Sequence, residues 1–321
     1  MNGIAAPIVA LESAELPDFM DAPGDAQMDA SGAGVSVVMV VYMTGDALEE
    51  SVACALRDPL VDELVIVDNG STDAEAACLR TLADRDPRVV LVAGQGNVGF
   101  AKGANLGART AKGDILVFLN PDAFLQPGCI AALSREIVGR QVPCIVGGRV
   151  LNADLTEQRG ARRGEITPMT ALMSLSGLAR RFPAWRRYEV HLEDESLPDE
   201  PAPAPTISGA CFCMRREDFD AVDGFDEKYF LHVEDVDLCW RVRRQGGLVL
   251  FHPKAEVIHL GHTSLTSPIR VEFHKGVGLA RYFRKRAVSL SQILLAWLLS
   301  PVIVCTAVVR PVMWRMRGRT S

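Results

Sequence analysis

The chain has 321 residues, of which 48% are hydrophobic and 23% charged, with a mean hydropathy of +0.13. That length accommodates one large α/β domain or two modest ones, and this apolar content excludes wholesale disorder. The net charge of −6 is unevenly spread: residues 1–34 carry six acids and no Lys or Arg, whereas residues 270–321 carry ten Lys or Arg against Glu272 alone. The acidic body left between these ends lacks the basic footprint of a nucleic-acid-binding protein, so no nucleic-acid partner is expected.

Residues 1–34 read as a disordered acidic extension with no secretory signal, because no positive segment precedes an apolar stretch. Eight cysteines are scattered without a C-x-x-C pair, mostly inside apolar runs, which fits buried thiols in a reducing, cytoplasmic setting.

The body then alternates strand and helix. Residues 35–42 (VSVVMVVY) form a continuous Val-rich run, as expected of a strand covered on both faces. A helix over 46–56, a strand over 63–67 and the turn Asp68-Asn69-Gly70-Ser71 follow, with Asp73 as the N-cap of the next helix. Strand 89–92, helix 99–110 and strand 115–119 lead to Asn120-Pro121-Asp122, then to helix 127–138 and strand 144–150. Such repeated units imply a mostly parallel, doubly wound sheet, whose ligands collect at the carboxyl ends of the strands. That rule sets Asp68 and Asp122 on one rim.

Periodicity lapses over 152–206. Seven Arg between 159 and 187 are interleaved with Met, Leu, Phe and Trp, either as a surface facing lipid or as a solvated excursion. A Pro-rich connector at 197–205 precedes a strand at 206–214, a helix at 216–221, a helix at 234–245 and a β-like run over 248–260. Ala287 to Val309 is a stretch of 23 residues without a formal charge, flanked by basic residues on both sides. It is long enough to span a bilayer, and it suits equally a kinked segment held in the interface by Arg and Lys.

Four groups of residues carry candidate chemistry. Asp68 ends a strand in VIVDNGSTD, where a carboxylate either accepts hydrogen bonds from a nucleoside or stabilises its own turn. Asp122 follows ILVFL, a place from which one carboxylate can share a hard divalent cation with diphosphate oxygens and water. Glu234 and Asp235 open a helix, where acids complement the dipole and where a carboxylate is placed to take a proton. His259 closes a second apolar run, as a core residue or a metal ligand. A competing signal is Gly94-Gln95-Gly96-Asn97-Val98-Gly99, which matches G-x-G-x-x-G after a strand and would suit an NAD(P)-dependent oxidoreductase.

Taken in order, VSVVMVVY, VIVDNGSTD, GNVGFAKGANLG, FLNPDA, SGACFCMRR, GFDEKYFLHVEDVDLCWR and AEVIHLGHTS resemble the inverting family-2 glycosyltransferases of GT-A fold, in particular the rhamnosyltransferase-like branch. The resemblance runs from Val35 to His262. It implies an α/β fold: a Rossmann-like, mostly parallel sheet with helices on both faces, plus an apolar membrane-associated helical segment at the C-terminus. The implied domain spans 35–269, with a nucleotide-sugar half (35–150), an Arg- and Pro-rich insert (151–205) and an acceptor half (206–269). A basic, apolar segment (270–321) would hold it at the inner face of the cell membrane.

The same resemblance implies a nucleotide-sugar donor, Mg²⁺ or Mn²⁺, and a glycan acceptor on polyprenyl diphosphate, with rhamnose as the sugar, in cell-surface polysaccharide synthesis. It assigns Asp68, Asn69, Asn97, Lys102 and Asn105 to the donor, Asp122 to donor and metal, and His259 to metal. Asp235 becomes the general base, with Glu234 beside it for acceptor hydroxyls and Trp240 at the acceptor. Two departures stand out: Met43 occupies the position where the family has Asn after Tyr42, and Asn120 replaces the first acid of D-x-D. A non-catalytic nucleotide-sugar-binding protein would share most of these residues.

Overall fold

The computed structural model describes residues 34–261, 263–264 and 266–317, and no side chain beyond residue 311. The acidic extension therefore lies, but for Gly34, outside the described residues, as do His262 and the last basic side chains.

The first half of the body is β1 (Val35–Val41), α1 (Ala47–Arg57), β2 (Val61–Asp68), α2 (Asp73–Arg85), β3 (Val89–Val92), α3 (Phe100–Thr110), β4 (Ile115–Leu119), β5 (Ala123–Leu125), α4 (Cys129–Ile137) and β6 (Cys144–Leu151). Every residue of β1 is buried, and the side chains alternate between two cores: Val38 and Val40 on one face, Val37, Met39 and Val41 on the other. Helix α3 covers the first face, and α1, α2 and α4 cover the second. The N-cap of α2 is Thr72, whose hydroxyl accepts from the Glu75 N–H, and not Asp73, which is the first helical residue.

The span 151–205 is built, although its periodicity suggests otherwise. It holds β7 (Arg162–Arg163), α5 (Pro168–Ser176), α6 (Leu178–Arg181), a 3₁₀ turn (Pro183–Tyr188) and β8 (Ala202–Pro203). Its arginines divide by position: Arg159, Arg162 and Arg163 turn inward to carboxylates and carbonyls, while Arg180, Arg181, Arg186 and Arg187 are exposed.

The expected strand 206–214 is broken into β9 (Thr206–Ile207) and β10 (Cys211–Arg215), followed by α7 (Arg216–Ala221), α8 (Glu234–Arg244) and β11 (Leu248–His259). The sheet order is β3-β2-β1-β4-β10-β6-β11-β5, with β8 on the flank of β11. Pairing is parallel from β3 to β4 and between β6 and β11, while β10 runs antiparallel between β4 and β6. A long α9 (Pro268–Arg286) returns against the body, and α10 (Leu290–Arg317) folds back along it. Gly276 lies against Ile303, Val304 and Ala307, and the Arg284 guanidinium donates to Ser300 Oγ at 2.8 Å. Within α10, Leu290–Pro311 is a stretch of 22 residues that is long and apolar enough to cross a membrane by length and composition.

Candidate active site

The strand ends bring Asp122 and His259 together. Strand β5 pairs antiparallel with β11 so that Ala123 stands opposite His259, which sets the preceding Asp122 beside the ring. The Asp122 carboxylate is buried, with Oδ1 3.1 Å from His259 Nε2 and Oδ2 accepting from the Thr263 hydroxyl at 2.9 Å. Burial pulls its pKa up, but the His259 and Thr263 contacts outweigh that and hold it below the usual carboxylate value.

Gln158, which the sequence reading did not single out, sets the imidazole tautomer. Its amide nitrogen donates to the His259 carbonyl (2.9 Å) and to Asn152 Oδ1 (3.2 Å), leaving Oε1 to accept from His259 Nδ1–H at 2.7 Å. With Nδ1–H committed to Gln158, Nε2 is the ring nitrogen that faces Asp122 and the Asn120 amide, 3.2 Å away. Two ligand atoms bound at about 2.1 Å and at right angles around one ion lie about 3.0 Å apart, so the Asp122–His259 pair fits adjacent ligands of one divalent cation. Among the described residues no cluster of three His, Cys, Asp or Glu surrounds this point.

The second carboxylate pair sits at the start of α8. The turn before it is strained: His232 and the β-branched Val233 both have positive φ, at 66° and 73°. Such a conformation costs about 1–3 kcal/mol and is held where the surroundings demand it. Asp235 Oδ2 accepts from Arg163 of β7 and from the Gly209 N–H, and Oδ1 accepts from the Val236 N–H. Burial raises its pKa, but the Arg163 charge and hydrogen bond reverse the sign, so Asp235 stays ionised. Glu234 is the opposite case. It is buried with Oε2 unpartnered, and burial together with the neighbouring Asp235 charge pushes it up to about 8.

The two poles share one rim. The Asn120 N–H donates to the Ala210 carbonyl, and the adjacent Gly209 leaves just enough room for Asp235, since a Cβ there would stand 3.3 Å from the Asp235 Cβ. The segment from β4 to Asp122 is thus linked to Asp235 by two hydrogen bonds through residues 209 and 210.

Other expected site residues divide between the rim and the scaffold. Asp68 ends β2 with Oδ1 accepting from the Gly70 and Ser71 N–H groups, an Asx turn that leaves Oδ2 facing outward. Lys102 is exposed on the first turn of α3. Asn69 and Asn97 are tied to each other at 3.3 Å and to the Val98 and Gly99 N–H groups, so their amides brace the loop before α3. Asn105 serves the scaffold in this structure: its buried amide gives and takes hydrogen bonds with the Phe225 backbone at 2.9 Å and clamps that turn. Trp240, five residues after Asp235 and so about 140° from it around α8, packs edge-on against Tyr282 of α9.

A cleft of about 420 Å³ opens beside the rim between residues 43–47, Thr72, Glu75, Leu260 and Thr263. Glu75 holds its wall by accepting from the Thr44 and Gly45 N–H groups. The glycine-rich loop 94–99 offers no comparable site for a dinucleotide. A Cβ on Gly99 would meet the Phe230 carbonyl at 2.7 Å, and the Phe100 N–H donates to that same carbonyl. The N-terminus of α3, where a pyrophosphate would sit, is thus capped by protein.

The sequence profile described as "Glycosyl transferase family 2" matches residues 36–222, more than half of the chain. The chain belongs to glycosyl transferase family 2. A second profile, the "N-terminal domain of galactosyltransferase", matches residues 193–263 of this glycosyltransferase. One relative is the N-acetylglucosaminyl-diphospho-decaprenol L-rhamnosyltransferase of Mycobacterium tuberculosis, 30% identical over 239 residues, which cover 70% of this chain and 75% of that one. Among solved structures, the mannosyltransferase PcManGT from Pyrobaculum calidifontis, in complex with GDP-Man and Mn²⁺, aligns with a TM-score of 0.55 and 18% identity over 87% of this chain and 74% of that one. GalNAc-T7 with UDP, GalNAc and Mn²⁺ aligns with a TM-score of 0.57 and 18% identity, covering 78% of this chain and about half (48%) of that one. These structures share the GT-A fold with this glycosyltransferase, and the oxidoreductase reading of its glycine-rich loop is set aside.

Proposed function

We propose that this glycosyltransferase moves a sugar, rhamnose by its branch, from a nucleotide-sugar donor to a glycan carried on polyprenyl diphosphate, with inversion at the anomeric carbon. The observation that carries the mechanism is the pairing of Asp122 with His259 on the same rim that holds Asp235. What supports the donor and acceptor is the relationship to the decaprenol-linked rhamnosyltransferase.

In this reading the nucleotide enters beside the cleft at 43–47, with Asp68 Oδ2 facing the base or ribose and Lys102 and Asn97 along its path. Asp122 and His259 would hold Mg²⁺ or Mn²⁺, which would supply Lewis-acid stabilisation of the departing diphosphate. Asp235, ionised and aimed by Arg163 and Gly209, takes the proton of the acceptor hydroxyl as its oxygen attacks from the face opposite the leaving group. A single displacement of this kind inverts configuration. Glu234, largely protonated at neutral pH, is able to donate a hydrogen bond to an acceptor oxygen.

Membrane association belongs to the same proposal. Trp297 and Leu298 of α10 are 63% and 71% exposed, and Leu290 and Leu294 extend that apolar face. Arg284 of α9 lies over the Trp297 ring at the edge of this face, where an anionic head group would meet it at the cytoplasmic leaflet, while Arg281, Lys285 and Arg286 are paired with Asp226, Asp237 and Glu165. Cell-surface polysaccharide synthesis is the role consistent with such an acceptor.

The test is a thermal-shift panel of nucleotide sugars with and without Mn²⁺, followed by transfer to a prenyl-diphosphate-linked N-acetylglucosamine. One donor should stabilise the protein in a Mn²⁺-dependent way and be consumed only with that acceptor. Stabilisation by no nucleotide sugar, or transfer to free sugars alone, would overturn the reading.

A further inference from the structure

Three nitrogen atoms in the neighbourhood of Asp235 take no part in the hydrogen bonds around Asp122 and His259. Arg163 uses one amino group for Asp235 and the Ile207 carbonyl, but its Nε is buried without a partner. His191 stands directly opposite Arg163 across an antiparallel bridge, so the two side chains leave the same face of the ribbon. Its Nδ1 is likewise buried without a partner.

The third is Lys275 of α9. Gly278, one turn later on the same stripe, lets the helix backbone rest on the strained turn before Asp235: a Cβ there would meet Val233 Cγ2 at 3.0 Å and the His232 carbonyl at 3.1 Å. Lys275 therefore overhangs the start of α8, where it is desolvated and senses Arg163, Arg310, Glu272 and Asp235. Among the described residues it forms no hydrogen bond or ion pair.

The neighbouring cations are already committed. Arg159 is paired with Glu189 and Glu193, and Arg310 faces Glu272. Burial and these surrounding cations hold His191 neutral. What remains open is a lysine, a guanidinium N–H and a neutral imidazole, next to the base and at the foot of the apolar hairpin α9–α10. Arg163 Nε is an orphaned buried donor, and a phosphate group is matched by a point-charge lysine with an arginine N–H beside it.

We propose that Lys275, Arg163 and His191 form a phosphate subsite that takes the diphosphate of the lipid-linked acceptor. The prenyl tail then runs out along α10 while the sugar hydroxyl faces Asp235. This rests on the reading of a lipid-linked acceptor and adds the residues that would grip it.

Farnesyl diphosphate, which has the diphosphate and a short prenyl tail but no sugar, serves as the probe for full-length protein in detergent. Lys275→Met should weaken its binding about 10-fold or more, the effect of losing one charged hydrogen bond, while Lys275→Arg restores most of it. His191→Leu should weaken it by a smaller factor. UDP and dTDP binding, and binding to phosphatidylglycerol vesicles, should stay unchanged in all three. Lys275→Met removes a desolvated, unpaired charge, so its melting temperature should not fall. Tight binding of the probe by wild type and by Lys275→Met alike would overturn the subsite while leaving the lipid acceptor standing. Failure of wild type to bind the probe, with nucleotide binding intact, would remove the acceptor reading itself. Parallel losses for the probe and for phosphatidylglycerol vesicles would make this a head-group contact and overturn the proposal.

Discussion

Arg163 and Asp235 form an ion pair that joins a two-residue strand of the 151–205 span to the first turn of α8. The guanidinium keeps the proposed base ionised and fixes its direction, and it holds the base weaker than a free carboxylate. Removing that cation should raise the Asp235 pKa. In Arg163→Met the acid limb of the pH profile for kcat/KM should move to higher pH, with a smaller maximum because the carboxylate is less well aimed. A limb that stays in place would show that Arg163 does not govern the titrating group.

Glu234 leads to a prediction about stability. Its folded-state pKa, about 8, lies above the unfolded value, so the folded protein keeps a proton that the unfolded chain has lost. Its contribution is present in full below the unfolded pKa and is lost as pH rises toward 8. Glu234→Gln, which mimics the protonated form, should match wild type in melting temperature near pH 5 and exceed it increasingly up to pH 8–9. Equal melting temperatures across that range would show that Glu234 ionises freely.

Gln158 should matter to metal binding through the ring it orients. Gln158→Leu removes the acceptor from His259 Nδ1–H, and losses of this type cost about 10–100-fold in metal affinity. Calorimetric titration with Mn²⁺ in the presence of nucleoside diphosphate measures this, and the ring-nitrogen NMR shifts of His259 report the tautomer directly. Unchanged affinity with an unchanged tautomer would leave Gln158 a purely structural residue.

The hairpin face offers a clean test of membrane contact. Leu294 and Leu298 are 62% and 71% exposed, so Leu294→Glu with Leu298→Glu should leave the fold and donor binding intact. The double variant should no longer float with anionic vesicles. Undiminished flotation would place the contact elsewhere.

Much of this architecture is legible in the sequence because its signals are local. The all-buried β1 announces itself by an unbroken Val run, and α7 begins and ends where its residues suggest. Asp122 follows one apolar strand and His259 closes another, which marks both members of the proposed metal pair. What is not legible depends on partners distant in the chain. The two residues of β7 have no pattern of their own and exist because Ile207 and Thr206 pair with them. Arg163 looks like one more basic residue in a run of seven until the fold sets it on Asp235. Asn105 lies in a segment that resembles a nucleotide-binding motif, yet the turn at Phe225 takes up its amide, a contact 120 residues away. Trp240 falls close to the base in sequence, but the helical rotation carries it to the opposite flank.

The most direct test replaces the proposed base without altering its shape. In Asp235→Asn, donor affinity with Mn²⁺ should remain within about two-fold of wild type while the single-turnover rate of sugar transfer falls by about 10²–10⁴, the usual share of a general base. Transfer at a near-normal rate, or a parallel loss of donor binding, would contradict the assignment of Asp235 as a base separate from the donor-binding pair Asp122–His259 on the same rim.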